Sequence, residues 1–355
     1  MSEEGQFFAD MMDRLCQEHC LQAVIESAEE GVFPEQLWGE FQGLGIPLMM
    51  TPEEQGGVDA SVPDICAVLR VAGRYAVPAP ILETVLANAA LSRAAIKISD
   101  GPLALVFGDK TIGEMLRQSK GESLGDRISF RKVAWAKEVQ SIVIVASSSS
   151  GVVVGAMDSK TCNFESVPAM SREPRYKISC GRASVKTGFV DDDGFSDEMF
   201  RAAALCRSAQ MIGAIEWTLD TTVSYGMERS QFGRPITKFQ VVQHQLAELA
   251  SSLAAASALF NAAVDQFEND SGLVAAARAR LGDSVDTAVS ISHQLHAATG
   301  FSREYGLNFR TRRLMQWRDE FGSTEYWRRR VGESLLGARY EEVWERMIGA
   351  DGGEE

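Results

Sequence analysis

One stretch constrains this chain more than any other: Glu228-Arg-Ser-Gln-Phe-Gly-Arg-Pro-Ile-Thr-Lys-Phe-Gln-Val-Val-Gln-His-Gln-Leu-Ala-Glu-Leu-Ala250. Helical sequence runs up to Tyr225-Gly226, a cationic and aromatic corner occupies Arg229 to Phe232, and Pro235 closes a short loop. Proline lacks a backbone donor and is tolerated at, or just before, the first turn of a new helix. From there Phe239, Val242, Leu246, Leu249 and Leu253 fall at three- and four-residue spacing, which predicts one face of a long helix. An arginine, a glutamine and an aromatic at such a corner suit a planar anionic ligand: Arg229 can bond a pyrophosphate with two donors, and Phe232 offers a face for stacking. Physics alone also supports, and by itself prefers, a plainer reading in which Arg229 serves the last carbonyls of a helix beside a core Phe232.

The longer string Tyr225-Gly-Met-Glu-Arg-Ser-Gln-Phe-Gly-Arg-Pro-Ile-Thr-Lys-Phe-Gln-Val-Val-Gln-His-Gln-Leu-Ala resembles the acyl-CoA dehydrogenase signature, R-x-Q-F-G-x-P-I-x-x-F-Q-x-x-Q-x-x-L-A, which opens a core helix. Near the N-terminus, a helix ending in Leu44-Gly45 and leading to Pro52-Glu-Glu-Gln-Gly-Gly is similar to the same family.

At 355 residues the chain has room for two or three domains, and its 45% hydrophobic content suffices for a sizeable core. A formal charge of -14 disfavours long-range attraction to nucleic acid or an anionic membrane, while leaving room for a local basic pocket. The six cysteines form no CxxC pair, so they read as free thiols rather than a zinc site. The acidic start Met1-Ser-Glu-Glu-Gly has no apolar signal core and no uninterrupted run of eighteen apolar residues occurs, which predicts a cytoplasmic location.

The texture changes twice along the chain. Residues 1–98 read as a helical domain, with Phe7 to Leu15, Pro34 to Gly45, Ser61 to Tyr75 and Pro80 to Leu91 as its helices. Residues 99–192 hold short β-rich runs at Leu103–Phe107, Arg127–Trp135, Ser141–Ala146, Gly151–Ala156 and Ala183–Val190, which predict a small antiparallel barrel or sandwich. Residues 193–355 are helical again: Ala202–Met227, Phe239–Glu268, Val274–Thr299, then Gly306–Arg313 leading to a helix over Trp327–Ile348 and a frayed tail from Gly349. The fold class is therefore α+β and mainly α, and the order matches the acyl-CoA dehydrogenase fold of N-terminal helices, middle β-barrel or sandwich and C-terminal four-helix bundle.

That resemblance implies FAD, a carboxylate base and a dry pocket in which burial raises the base toward the working pH. The family's C-terminal pattern resembles G-G-x-G-F/Y-x-x-E-x-x followed by E-G-T. Here Ala297-Ala-Thr-Gly-Phe-Ser-Arg-Glu-Tyr precedes Asp319-Glu-Phe-Gly-Ser-Thr-Glu. Register on Gly300-Phe301 puts Phe321 at the usual glutamate, and phenylalanine takes no proton. Glu320 stands one residue early and, in a helix, would point about 100° away. The alternative seat on the first helix after the β region falls near Ala203, with Asp197 and Glu198 upstream as ordinary helix-start charges. The family's flavin-ring loop and Trp-Ile-Thr strand have only Leu105–Gly113 and Lys132-Val-Ala-Trp-Ala in their places.

What does match is the set that, in the family, contacts the adenine and pyrophosphate end of a neighbour's flavin: Arg229, Gln231, Phe232 and Gln294, with Ala297 and Ala298 replacing two glycines. His293 and His296 sit at i, i+3, and satisfied helix histidines explain them better than a metal, so no metal is expected. The whole resembles the shorter, degenerate subunit of heteromeric bacterial dehydrogenases acting on CoA thioesters of steroid and bile-acid side chains. It implies a heterotetramer with a homologous acyl-CoA dehydrogenase subunit, FAD shared with that partner, an acyl-CoA substrate and an acceptor like electron-transfer flavoprotein. Two other readings stay open: a homomeric dehydrogenase using Glu320 as base, and a non-catalytic scaffold of the same fold. In every case the alanine-rich C-terminal helices predict an oligomer.

Overall fold

Ser2 starts the first helix by accepting the Gly5 amide at 3.0 Å, and is itself tied to Asp64 through its amide and hydroxyl at 2.8 and 2.9 Å. The computed structural model describes residues 2–119, 128–179 and 184–336. Five helices come first: α1 (Glu3–His19), α2 (Gln22–Glu29), α3 (Glu35–Gly43), α4 (Val62–Arg74) and α5 (Ile81–Arg93). As its sequence predicts, α3 follows Pro34, and Gly45 beyond its end takes the left-handed conformation (φ 72°) that glycine adopts without strain. Helix α2 was not legible in advance. It is only eight residues long, and Arg312 from the far end of the chain grips Glu29 in it at 2.6 and 2.8 Å.

Among the described residues the β region holds seven strands in two sheets. β1 (Leu103–Gly108), β3 (Ser141–Ser148), β4 (Gly151–Asp158) and β7 (Val185–Val190) form a four-stranded sheet in the order β1-β3-β4-β7. β2 (Ser129–Ala134), β5 (Asn163–Ser166) and β6 (Arg175–Ser179) form a second, in the order β2-β6-β5. Alternate residues of the larger sheet serve two cores: Val143, Val145, Val152 and Val154 face the helices, while Ile142, Ile144, Ala146 and Val153 face the smaller sheet. Burial on both faces is why these strands read as continuous apolar runs.

Two details correct the expectation of an all-antiparallel barrel. β1 pairs with β3 in parallel, and the chain leaves β1 directly into a helix, α6 (Lys110–Ser119), which packs on β3 and β4. A parallel neighbour needs a crossover rather than a hairpin, and α6 is part of it. The N-terminal residues of the expected strands at Arg127 and Ala183, Cys180, the helix beyond residue 336 and the tail lie outside the described residues. The five described cysteines are free and buried.

The C-terminal helices are α7 (Phe195–Glu228), α8 (Gln240–Asp265), α9 (Ser271–His296), α10 (Leu307–Trp317) and α11 (Thr324–Leu335). α7 is the axis, packed against α4, α8, α9 and α10. Its crossing with α4 is backbone to backbone: a Cβ on Gly73 would come within 1.9 Å of the Gln210 carbonyl oxygen, and one on Gly213 within 1.8 Å of that of Arg70. Neither oxygen can swing aside as a side chain can. Gly213→Ala should therefore cost about 3 kcal/mol in denaturant unfolding, whereas Gly39→Ala, in an open stretch of α3, should be neutral or slightly stabilising. Equal midpoints for the two variants would mean that this crossing is looser than described.

Among the described residues α8 alone is long and apolar enough to cross a membrane. It buries Val242, Leu249, Leu253, Ala256 and Phe260, and leaves Ala247, Ala250, Ala254 and Ala258 exposed along another face.

Candidate functional site

The corner that follows α7 is a two-residue hairpin. Ser230 and Gln231 (β8) pair with Pro235 and Arg234 (β9), and the Ile236 amide donates to the Arg229 carbonyl at 2.8 Å. Phe232 and Gly233 form the turn with φ of 52° and 80°, the double left-handed geometry that matches the twist of paired strands. The turn throws Phe232 outward, 92% exposed, with its ring edge toward Phe239 at 6.2 Å. Only the Arg229 backbone caps the helix, its amide donating to Tyr225. Among the described residues the side chain has no hydrogen bond or ion pair and is exposed. The plainer reading, an arginine on helix carbonyls beside a core phenylalanine, does not hold here.

The other half of the expected set is at the same end of the helical region. Tyr225 stacks on His296 at 4.3 Å and meets Thr299 Oγ1 at 3.3 Å, so the last turns of α7 and α9 are joined. Gln294 and Ala298 are exposed on that terminus. Ala297, where the family has glycine, holds φ at 51°, a conformation that strains a residue with a Cβ. Phe301 and Tyr305 add exposed aromatic surface beside it.

The histidines pack into this end of the helical region, and among the described residues no group of three or more His, Cys, Asp or Glu side chains gathers as metal ligands would. His296 is fully buried, with Nδ1 2.9 Å from the Ser292 carbonyl. A carbonyl only accepts, so Nδ1 carries the hydrogen and the buried Nε2 is left without a partner. Burial lowers both His293 and His296 below the ordinary histidine value, and His296 also depresses His293. A lowered folded-state value means that the unfolded chain takes up the proton first. Stability is then full above about pH 6.5 and falls below it, by at most about 1.4 kcal/mol per pH unit for each ring. Thermal unfolding should show that fall between pH 7 and 5, and His296→Gln should flatten it. A pH-independent midpoint over that range would refute the assignment.

A second place gathers most of the remaining chemistry. A cavity of about 620 Å³ lies between the end of β1, strand β2, the start of α7 and residues 315–322. The chain does not stay helical through this last segment. α10 ends at Trp317, and Phe321 and Gly322 take φ of 51° and 95°. One nitrogen of the buried Arg278, Nη2, donates to the carbonyls of Arg318, Glu320 and Gly322 at 3.2, 2.7 and 3.0 Å, which holds the turn. Burial and the nearby Arg207 lower that guanidinium to about 10. As a result Glu320 and Phe321 both line the cavity, rather than pointing about 100° apart as helical neighbours would.

Glu320 is not a free carboxylate. Arg175 Nη2 is 2.6 Å from one of its oxygens and Arg207 Nη2 is 3.0 Å from the other. Arg207 also holds Glu83 at 2.6 Å, and Arg175 holds Glu173 at 3.3 Å, which in turn accepts from Trp317 Nε1 at 3.2 Å. Burial pushes the Glu320 carboxyl up, against the pull of Arg175 and Arg207. Burial works on Glu173 too, but Arg313, Arg175 and Arg207 outweigh it and hold that carboxyl below its usual range. Phe321 lies under Arg207, 5.7 Å from ring centre to guanidinium carbon, and edge-on to Phe107 at 6.1 Å. The alternative seat, Ala203, is fully buried, and Asp197 is taken by Arg201 and Arg330.

Arg207, Arg175, Glu83, Glu173 and Arg278 escaped the sequence reading because they belong to no local pattern. One signal was there: Arg207 interrupts Ala202-Ala-Ala-Leu-Cys, and Glu83 interrupts Ile81-Leu, in helices too apolar to face water. A charge in such a helix needs a distant opposite charge.

The two places differ in how they suit the flavin implied by the sequence. The corner offers a free guanidinium and an uncovered aromatic ring, which fits the phosphate and adenine end of a dinucleotide. The cavity does not fit an isoalloxazine ring in the family's manner. Where the ring-binding loop and strand would stand, β1 ends in Phe107-Gly108 and runs into α6, and β2 brings Phe130, Arg131 and Lys132. Trp135 is buried against Phe33 as a core residue.

Residues 2–96 match the acyl-CoA dehydrogenase N-terminal domain and residues 194–336 the acyl-CoA dehydrogenase C-terminal domain. The acyl-CoA dehydrogenase IpdE2 of Mycobacterium tuberculosis is 27% identical over 310 residues, 86% of this chain and 89% of that protein. The ChsE4–ChsE5 complex from Mycobacterium tuberculosis superposes with a TM-score of 0.82 at 19% identity, covering 96% of this chain and 99% of that one. A variant of the Tcur3481–Tcur3483 steroid ACAD gives 0.79 at 19% identity, covering 94% and 98%. At these identities the two structures establish likeness of fold.

Proposed function

The chain belongs to the acyl-CoA dehydrogenase family, and from that premise we propose that it is the subunit of a heteromeric enzyme that completes a partner's FAD site. One observation carries the reading: Glu320 has an arginine on each oxygen, while Arg229 and Phe232 stand free in solvent. Bound there, FAD would supply the acceptor for the hydride lost from the β carbon of the acyl thioester, with a carboxylate taking the α proton. This chain's part is to bind and to exclude water. Arg229 binds the pyrophosphate, Phe232 stacks on the adenine side, and Gln231, Gln294 and Ala298 form the adjoining surface. Phe321 fills the seat of the base, so the proton goes to a carboxylate of the partner.

The exposed alanine face of α8 is suited to close helix contact between subunits in a heterotetramer. The folds of ChsE4–ChsE5 and of the Tcur3481–Tcur3483 steroid ACAD, both pairs of chains by name, support a heteromer acting on a bulky, steroid-like acyl-CoA. Electrons would leave to a carrier like electron-transfer flavoprotein, and the work would be done in the cytoplasm.

The test is the visible spectrum of the chain purified alone and after co-expression with its genomic neighbour of the same family. Flavin bands in the co-expressed sample only, with dehydrogenation of steroidal but not linear acyl-CoAs, are expected. Flavin on the lone chain would overturn the reading and restore a homomer using Glu320. A colourless co-purified pair would make the chain a scaffold.

A further inference from the structure

We propose that the cavity beside Glu320 is a non-redox binding site for a ring-bearing organic acid, distinct from the cofactor corner. Its volume of about 620 Å³ is within the range that encloses small organic ligands. The shape of its wall is the first argument. Phe130, Arg131, Lys132, Val133 and Ala134 all line it, although a regular strand turns only alternate side chains to one side. A bulge makes this arrangement: the pairing of β2 with β6 jumps between Phe130 and Val133, and Lys132 is held at φ 58°. A lysine kept in the left-handed region is strained, and such strain persists where the surroundings over-determine it, often at binding sites.

Charge is the second argument. Arg131 and Lys132 are exposed at the cavity wall and have no ion-pair partner among the described residues, in a chain of net charge -14. The carboxylates of the lining do not cancel them. Glu83 is held by Arg207, Glu320 by Arg207 and Arg175, and Asp319 lies 3.9 Å from Arg318. The apolar wall is the third. Phe107 meets Phe200 edge-on at 5.3 Å and Phe321 at 6.1 Å, and the adaptable Met170 and Met315 also line the cavity. This broad aromatic surface suits a flat ring body, and the two cations then take its carboxylate. The site needs neither a flavin nor a partner chain.

Anthracene carboxylate titrated into the purified full-length chain tests this by calorimetry, with decanoate and FMN as comparison ligands. One equivalent should bind with a sub-millimolar Kd. Charge reversal at both exposed cations, Arg131→Glu with Lys132→Glu, should weaken it by about tenfold or more, with the circular dichroism spectrum unchanged. Arg229→Ala should leave it untouched, which separates this site from the corner. Absence of saturation, equal binding by the charge-reversed variant, decanoate binding as tightly as the ring acid, or displacement by FMN would each overturn the proposal.

Discussion

Replacing Arg207 by methionine is expected to remove about 3–5 kcal/mol of folding stability, the usual penalty for stripping one partner from a buried ion pair. Arg207 is 3% exposed and sits between Glu83 and Glu320, so its loss leaves Glu83 without its arginine and Glu320 with Arg175 alone. Burial works against the charge on Arg207, but Glu320, Glu83 and Glu173 raise its guanidinium, so it is a firm cation in the folded chain. The cost should therefore come from stranded carboxylates, not from lost bulk, because methionine keeps much of the volume against Trp317 and Phe321. Adding Glu83→Gln and Glu320→Gln to Arg207→Met should then restore most of the loss, since the triple variant leaves neither of these carboxylates stranded without Arg207. Chemical denaturation of the three proteins decides this. If the single variant is as stable as the parent, the cluster is not ionised as described. If the triple variant is as weak as the single, packing rather than charge sets the cost.

Arg229→Ala is expected to do little to the fold and much to the cofactor. Its side chain has no intramolecular bond among the described residues, so stability should stay within about 0.5 kcal/mol, as for other surface changes. On the proposed reading, the same change in the co-expressed complex would remove a charge-assisted contact to the flavin pyrophosphate, and FAD affinity should fall by about ten- to a hundredfold. Arg229→Lys should recover only part of this, because an ammonium cannot make the bidentate bond. Glu320→Gln in the same complex should leave turnover within about twofold, where a catalytic base would lose several orders of magnitude. Retained FAD in Arg229→Ala, or collapse of turnover in Glu320→Gln, would move the chemistry back into this chain.

The turn at the corner was legible in the sequence because its information is local, but the exposure of Arg229 and Phe232 was not, since the residues alone favoured a core phenylalanine and an arginine on helix carbonyls. Arg229, Gln231 and Phe232 lie within four residues, and the positive φ of Phe232 and Gly233 needs only a turn to express it. The same holds for α3 with its Pro34 start and Gly45 stop, and for the long alternating faces of α8 and α9. The long strands showed themselves through β-branched runs, although whether β1 would pair in parallel was not written in any such run. Strand direction depends on where α6 carries the chain, and the sequence around Asp109 read as a loop.

The electrostatic interior was not legible. Glu83, the Glu173–Arg175 pair, Arg207, Arg278 and Glu320 come from five stretches separated by tens of residues, and each could have faced water. Whether Glu320 and Phe321 stand in a helix was not written in the sequence either: α10 ends at Trp317, and Arg278 gathers three carbonyls in the turn where the two residues stand. By itself the sequence determined the order of helices, strands and helices, the family, and the cationic-aromatic corner, since these follow from periodicity and short-range spacing. Only the tertiary structure decided that the acidic residue nearest the usual base is locked between two arginines. Whether a carboxylate is free or paired depends on long-range charge contacts in a low-dielectric interior, and these exist only once the chain has closed around them.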